Sequence, residues 1–253
     1  NNIYDILVDL KIKNEVAALG FSARMNDNFS MDVSGKINLD GNSANIRLDS
    51  LLVIYNKFII TNKGELSIDY SGESVRINSF VLTPVKGEIS LSGFLNTRGS
   101  QDMKLKVNQL DVKEIMVGLL GMSSNDSPEA DLNLSTAITG DFNNPVIEIE
   151  SQIDSIEFRN KKFGSLVGNF DYSNRNLRIN SYFVDELKQF GNAKLNITGN
   201  IPIDLSFASV DERISETGVI SIKLLAEDFN LEAFGDILPQ VNKLSGILTA
   251  EIE

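Results

Sequence analysis

Asn125, Asp126, Ser127, Glu129 and Asp131 crowd oxygen-bearing side chains into one short loop, the ligand type that calcium takes. Their spacing matches no known calcium loop, and a solvated polar turn accounts for them better than a metal does. Asp185 with Glu186 and Asp211 with Glu212 are adjacent carboxylates that could be imagined as an acid and a base. Neighbours along a strand point to opposite faces, so neither pair can converge on one substrate, and solvated loop charge is the simpler reading. Ser206, Ser209 and Lys223 lack the elbow or spacing that would activate a hydroxyl. Asn28, Asn133 and Asn196 open N-x-S/T triplets, a pattern that arises by chance. The chain has 0 His and 0 Cys, which removes the commonest general base, the usual zinc ligands and the thiolate nucleophile together. The expectation is a non-enzymatic protein with no cofactor and no metal.

Charge and composition narrow the class further. Lys+Arg 23 against Asp+Glu 35 gives a net charge of −12, a field that repels phosphate backbones, so nucleic acid is not an expected partner. With 42% apolar residues and 5 prolines the chain can bury a large surface. The longest apolar run, LLVIY at 51–55, is too short to span a membrane. The chain opens on Asn1 and breaks off in mid-alternation at AEIE (250–253), and is read as a piece of something longer.

The elements that would position any site are strands. VSGKINLDG (33–41) places Val33, Ile37 and Leu39 on one side and Ser34, Lys36, Asn38 and Asp40 on the other. The same alternation runs through 45–50, 64–70, 74–80, 87–93 and 102–108, and again through 130–140, 145–151, 176–183, 192–199, 202–207, 219–226 and 246–253, between Gly, Asn, Asp or Ser turn signals. Half-buried antiparallel strands read this way. Two stretches carry apolar residues at helical spacing instead: VKEIMVGLLGM (112–122) and NLEAFGDILPQV (230–241). Each predicts a short helix, with Asp111 and Asp228 placed to cap them and Pro239 to end the second. They could be lids on the apolar face, though connectors over an open core are the plainer reading.

The chain also repeats itself. DYSGESVRINSF (69–80) returns as DYSNRNLRINSY (171–182), keeping Asp, Tyr, Ser, Arg, Ile, Asn and Ser in place 102 residues later. Repetition in fixed order marks an array built from one supersecondary unit. The expected division is 1–34 as the continuation of an upstream repeat, 35–130 as a first unit and 131–253 as a second, in one continuous sheet. Arg76, Arg178, Asn78 and Asn180 should face solvent.

The alternation defines one aliphatic face. In the first unit it comprises Ile37, Leu39, Ile46, Leu48, Leu66, Ile68, Val75, Ile77, Ile89, Leu91, Leu105 and Val107. In the second it comprises Leu132, Leu134, Ile147, Ile149, Leu177, Ile179, Leu195, Ile197, Ile203, Leu205, Ile220, Ile222 and Leu224. No polar group is expected to converge on it. Closed against a second sheet, such a face is an ordinary sandwich core. Curled without closing, it is a trough whose natural cargo is acyl chains, each buried CH₂ being worth about 0.8 kcal/mol.

From 132 to 183 the order of elements resembles the repeating region of the TamB and AsmA-like family: a strand leading to Gly140, a polar link to Pro145, a strand, then a second strand through Gly168, Tyr172, Leu177 and Ile179. The passages 195–207 and 220–253 follow the same order. The resemblance implies an all-β, elongated, curled antiparallel sheet with two short helices, taco-shaped, with a hydrophobic groove. It further implies a periplasmic bridge that moves phospholipid between inner and outer membranes, an inner-membrane anchor and a partnership with an outer-membrane assembly barrel, both through regions outside this chain, and no catalytic residues. The competing expectations are a structural or adhesive repeat rod and a closed sandwich that takes no lipid.

Overall fold

The computed structural model describes residues 3–25, 28–184, 194–210, 212–214, 218–230 and 246–252. The described residues form one long antiparallel sheet of 16 strands that follows sequence order, with β6 set beside β5 between β4 and β7. The first unit and what precedes it supply β1 (Ile3–Lys13), β2 (Val16–Met25), β3 (Phe29–Asp40), β4 (Ser43–Tyr55), β5 (Phe58–Asn62), β6 (Leu66–Ser71), β7 (Ser74–Pro84), β8 (Glu88–Asn96) and β9 (Asp102–Asp111). There follow β10 (Glu129–Gly140), β11 (Pro145–Phe158), β12 (Lys161–Ser173), β13 (Asn176–Val184), β14 (Lys194–Ile201), β15 (Ser221–Asn230) and β16 (Ile247–Ile252). β5 and β6 are two halves of one broken strand, since both pair with β4 and with β7.

Register shifts beside Ser34, Ile77, Leu132, Ile153 and Ala226 insert bulges along the sheet. Such insertions bend a strand and increase its twist, which curls the sheet. Gln109 (φ 48°), Ser155 (φ 53°) and Asp228 (φ 49°) take the left-handed conformation at bulged positions. Gly93 (φ 114°) must be glycine, because a Cβ there would stand 1.9 Å from the Asp102 carbonyl oxygen.

The duplicated phrase is a duplicated hairpin. Asp69 pairs with Arg76 and Tyr70 with Val75 across β6 and β7; Asp171 pairs with Arg178 and Tyr172 with Leu177 across β12 and β13. Gly72 (φ 49°) turns the first, and Asn174 (φ 52°) with Arg175 (φ 58°) turns the second. Both turns lie on the same long rim of the sheet, here called the lower rim, together with the turns at 41–42 and 141–144. The turns at 56–57 and 85–87 lie on the upper rim. The expected unit boundaries at 34/35 and 130/131 fall inside β3 and β10.

Of the two predicted helices, the first exists in shortened form: α1 (Val112–Glu114) runs into a π-helical turn at Ile115–Leu119 and stops before 120–122. Asp111 caps it as expected, its carboxylate accepting the Glu114 N–H at 2.9 Å. Gly121, with φ 69°, marks where helical geometry has ended. The second predicted helix and Pro239 lie outside the described residues, so the description holds one such segment rather than two.

Candidate functional site

Directly paired residues of antiparallel strands project to the same face, so register fixes which side chains share the sheet's apolar side. One row runs unbroken from Ile12 through Ala17, Ile37, Ile46, Ile68, Ile77, Gly93, Met103, Ile138, Ile147, Tyr172 and Leu177 to Ile201. A second runs from Leu91 through Leu105, Thr136, Ile149, Phe170, Ile179 and Gly199 to Ile222. A third runs from Leu82 through Ile89, Val107, Leu134, Ser151, Gly168, Ser181 and Ile197 to Leu224. Leu39, Leu48, Leu66, Val75, Leu132 and Leu195 join the same face through their partners Ala44, Gly35 and Leu66, Leu48, Tyr70, Leu110 and Ala226.

Two expected members stand elsewhere, and a third falls just short of its strand. Ile203 and Leu205 belong to no strand of the sheet, and Ile220 precedes the first residue of β15. The expected strand at 202–207 does not form because Pro202 has no N–H to extend the ladder beyond Ile201. The chain turns back instead, and the Leu205 N–H donates to the Tyr172 hydroxyl at 2.8 Å. The alternation in PIDLSF belongs to a strap rather than to the expected strand.

The face is also less purely aliphatic than expected. Thr136, Ser151 and Ser181 lie in its rows beside Gly168, whose missing side chain leaves room that a Cβ would contest with Ser151 Oγ at 2.8 Å and Ser181 Oγ at 3.1 Å. Phe80, Phe170 and Tyr172 bring aromatic rings to it. Phe170 and Tyr172 were legible from the alternation that gives Gly168; Phe80 was hidden by the bulge that separates it from Ile77.

Most of these residues are half-buried, neither sealed nor bare. Leu66 is 1% exposed, whereas Leu39 at the lower rim is 49% exposed. The whole chain exposes 15596 Å². A compact monomer of its 27.9 kDa would expose about 11,000 Å². That surplus accords with a long, curled sheet.

Two covers lie on the apolar side. At the upper rim the π-helical turn reaches back from β9 to β5: Asn56 Nδ2 donates to the Gly118 carbonyl at 3.1 Å, and a Cβ on Gly118 would come within 2.9 Å of the Phe58 Cβ. The Glu114 carboxyl accepts backbone N–H groups of Lys86 and Val85, and burial pushes its pKa above the usual glutamate value. At the lower rim the strap after Pro202 seals Tyr172.

The opposite face is polar. Asn45 and Asn78 donate to the Asp69 carboxylate at 2.5 and 2.7 Å, holding its pKa below the ordinary value, and Arg76 stacks over Phe94 at 5.1 Å. Arg76, Arg178, Asn78 and Asn180 are exposed there, as the repeat predicts.

The chemical candidates resolve into ion pairs and turns. Asp126 faces Arg159 at 3.4 Å, Glu129 faces Lys113 at 2.7 Å, and Asp131 pairs with Lys86. Ser127 Oγ donates to the Ser123 carbonyl at 2.8 Å, and the Asn125 N–H donates to Ser123 Oγ. Each carboxylate of that loop thus has a cation of its own. Lys223 pairs with Glu251, Ser206 is buried in the strap, and Ser209 is exposed. Asp185, Glu186 and Asp211 lie outside the described residues.

No family model, curated protein or solved structure matches the chain. What it does has to be read from its own geometry.

Proposed function

We propose that this chain is a non-enzymatic lipid-binding segment that shields acyl chains in its apolar groove and lets them pass from strand to strand along the curl. The observation that carries this reading is the unbroken row from Ile12 to Ile201, apolar at nearly every strand and half-open to solvent. Among the described residues only two short covers meet this face, and so long an apolar strip left half-open over the rest is suited to a cover from outside. Methylene chains fit because the strip asks for no directional partner, and burial contributes about 0.8 kcal/mol per CH₂. Headgroups stay at the solvent-facing mouth.

On this reading the chain works as a length of a TamB-like or AsmA-like bridge, in the periplasm of a Gram-negative bacterium. The full-length protein would be anchored in the inner membrane and would carry phospholipid towards the outer one in support of outer-membrane biogenesis. Contact with an outer-membrane assembly barrel would fall to regions outside this chain. The order of elements from Leu132 to Phe183 supports that placement. Mass spectrometry of solvent extracts from the purified chain tests the reading: phospholipid in stoichiometric amount is expected, and a lipid-free extract overturns it.

A further inference from the structure

Tyr70 and Tyr172 occupy equivalent places in the two repeated hairpins, each paired across the turn with an aliphatic residue of the apolar face, Val75 or Leu177. Tyr70 is open to solvent and Tyr172 is sealed, and the strap from Pro202 to Ser206 is what seals it. We propose that this strap is a displaceable lid over an acyl-chain seat formed by Ile147, Tyr172 and Leu177, the counterpart of the seat that lies open around Tyr70. The inference rests on the lipid-groove reading and adds that passage through the second unit is gated where passage through the first is not.

The strap is built to move as a body. Arg213 donates to the carbonyls of Asp204, Ser206 and Ala208 at 3.0, 2.6 and 3.3 Å, the Asp204 N–H donates back to the Arg213 carbonyl at 2.7 Å, and the Asp204 carboxylate accepts the Ser206 N–H at 2.8 Å. These bonds join residues 204–208 to one another and to Arg213 rather than to the hairpins beneath, so they survive lifting of the strap together with Arg213. Its described attachments to the hairpins beneath are few: Leu205 N–H to the Tyr172 hydroxyl, Phe207 N–H to the Phe142 carbonyl at 3.1 Å, the Phe142 and Phe207 rings at 5.8 Å, and Arg175 to Asp204 at 3.2 Å. Its interior is polar, with Asp204 and Ser206 buried. A permanent core would place apolar groups there, whereas a lid that carries partners for its own polar groups strands none of them when it opens.

The test uses a photo-crosslinking residue at Val75 or at Leu177, with the protein incubated against vesicles of phosphatidylethanolamine and phosphatidylglycerol. Tyr172→Phe keeps the ring and removes one anchor. It should raise lipid capture at Leu177 roughly fivefold, the equivalent of about 1 kcal/mol for one hydrogen bond, and leave capture at Val75 unchanged. A Phe142→Cys, Phe207→Cys pair, in a chain that has 0 Cys of its own, should abolish capture at Leu177 when oxidised and restore it on reduction. Capture at Val75 with capture at Leu177 indifferent to both changes overturns the lid and leaves the groove standing. Capture at neither position overturns both.

Discussion

Tyr70 and Tyr172 hold the same register position in hairpins 102 residues apart, yet one is 43% exposed and the other 2%. The difference does not come from the turn ends of their own hairpins, where Ile68 to Ser71 pair with Ser74 to Ile77 just as Phe170 to Ser173 pair with Asn176 to Ile179. It comes from what the chain does after β14. Removing the ring should therefore cost very different amounts at the two sites. Tyr172→Ala is expected to lower stability by about 3 kcal/mol, Tyr70→Ala by less than about 1 kcal/mol, read as the shift in denaturant midpoint at constant slope.

A charge on the apolar face distinguishes groove from core. Leu91 is half-buried and Leu66 is 1% exposed, and both belong to that face. Leu91→Asp should leave a cooperative unfolding transition in place while abolishing lipid capture, because solvent reaches the new carboxylate. Leu66→Asp should lose the transition altogether, since nothing hydrates or pairs a charge there. Equal collapse of both variants in circular dichroism melts would mean the face is sealed.

Gly93 and Gly41 both have positive φ, but only Gly93 is crowded. Gly93→Ala adds the collision with the Asp102 carbonyl to the conformational cost and should destabilise by more than about 2 kcal/mol; Gly41→Ala, which meets nothing within 4 Å, should cost about 1 kcal/mol. Thermal midpoints of the two variants check the order.

The Asp69 carboxylate is stabilised by Asn78 first and Asn45 second, which lowers its folded pKa below 3.8. A lowered folded value means the contribution is present above the unfolded pKa and is lost as pH falls through the folded one. Asp69→Asn should flatten the loss of stability on acidification below about pH 4, with little change to the slope of stability against pH near neutrality. A titration of unfolding free energy against pH in both proteins provides the comparison.

Glu114 runs the other way. Burial raises its folded pKa above 4.5, so its stabilising effect is present below the unfolded pKa and is lost as pH rises through the folded value. Mild acid should tighten the helical cover against β5, seen as increased amide protection in the π-helical turn. Glu114→Gln should remove that pH response.

How much of this was visible in the residues depended on period and on sequence distance. Alternation along Ile46 to Leu48, Leu105 to Val107 or Ile147 to Ile149 gives the face of each strand directly, because side-chain direction in a strand is a local property. The repeated hairpins were equally legible as far as Ile77 and Ile179; beyond them the bulge pairs Ser79 with Ser67 on the polar side, whereas Ser181 pairs with Gly168 on the apolar one. Bulges were not. They shift the phase by one residue wherever they occur, as between Ile77 and Phe80, and nothing local announces them. The strap is hidden for a different reason: Ile203 and Leu205 alternate as a strand would, and it takes Pro202 ending the ladder and the tertiary bond to Tyr172 to set them apart from one. The loop at 125–131 offered oxygen ligands, but the cations that neutralise it come from Lys86, Lys113 and Arg159, at sequence separations no local motif reveals.

The strictly sequential strand order gives this molecule a mechanical character. Each strand is held by the ones beside it, so load applied between β1 and β16 passes through every seam in series, and the whole is only as strong as its weakest one. That seam is expected where β5 and β6 share the work of a single strand, with residues 63–65 pairing to neither side as a regular ladder. Pulled along the stack, the sheet should first part there, leaving the hairpin of β12 and β13 whole on the C-terminal side.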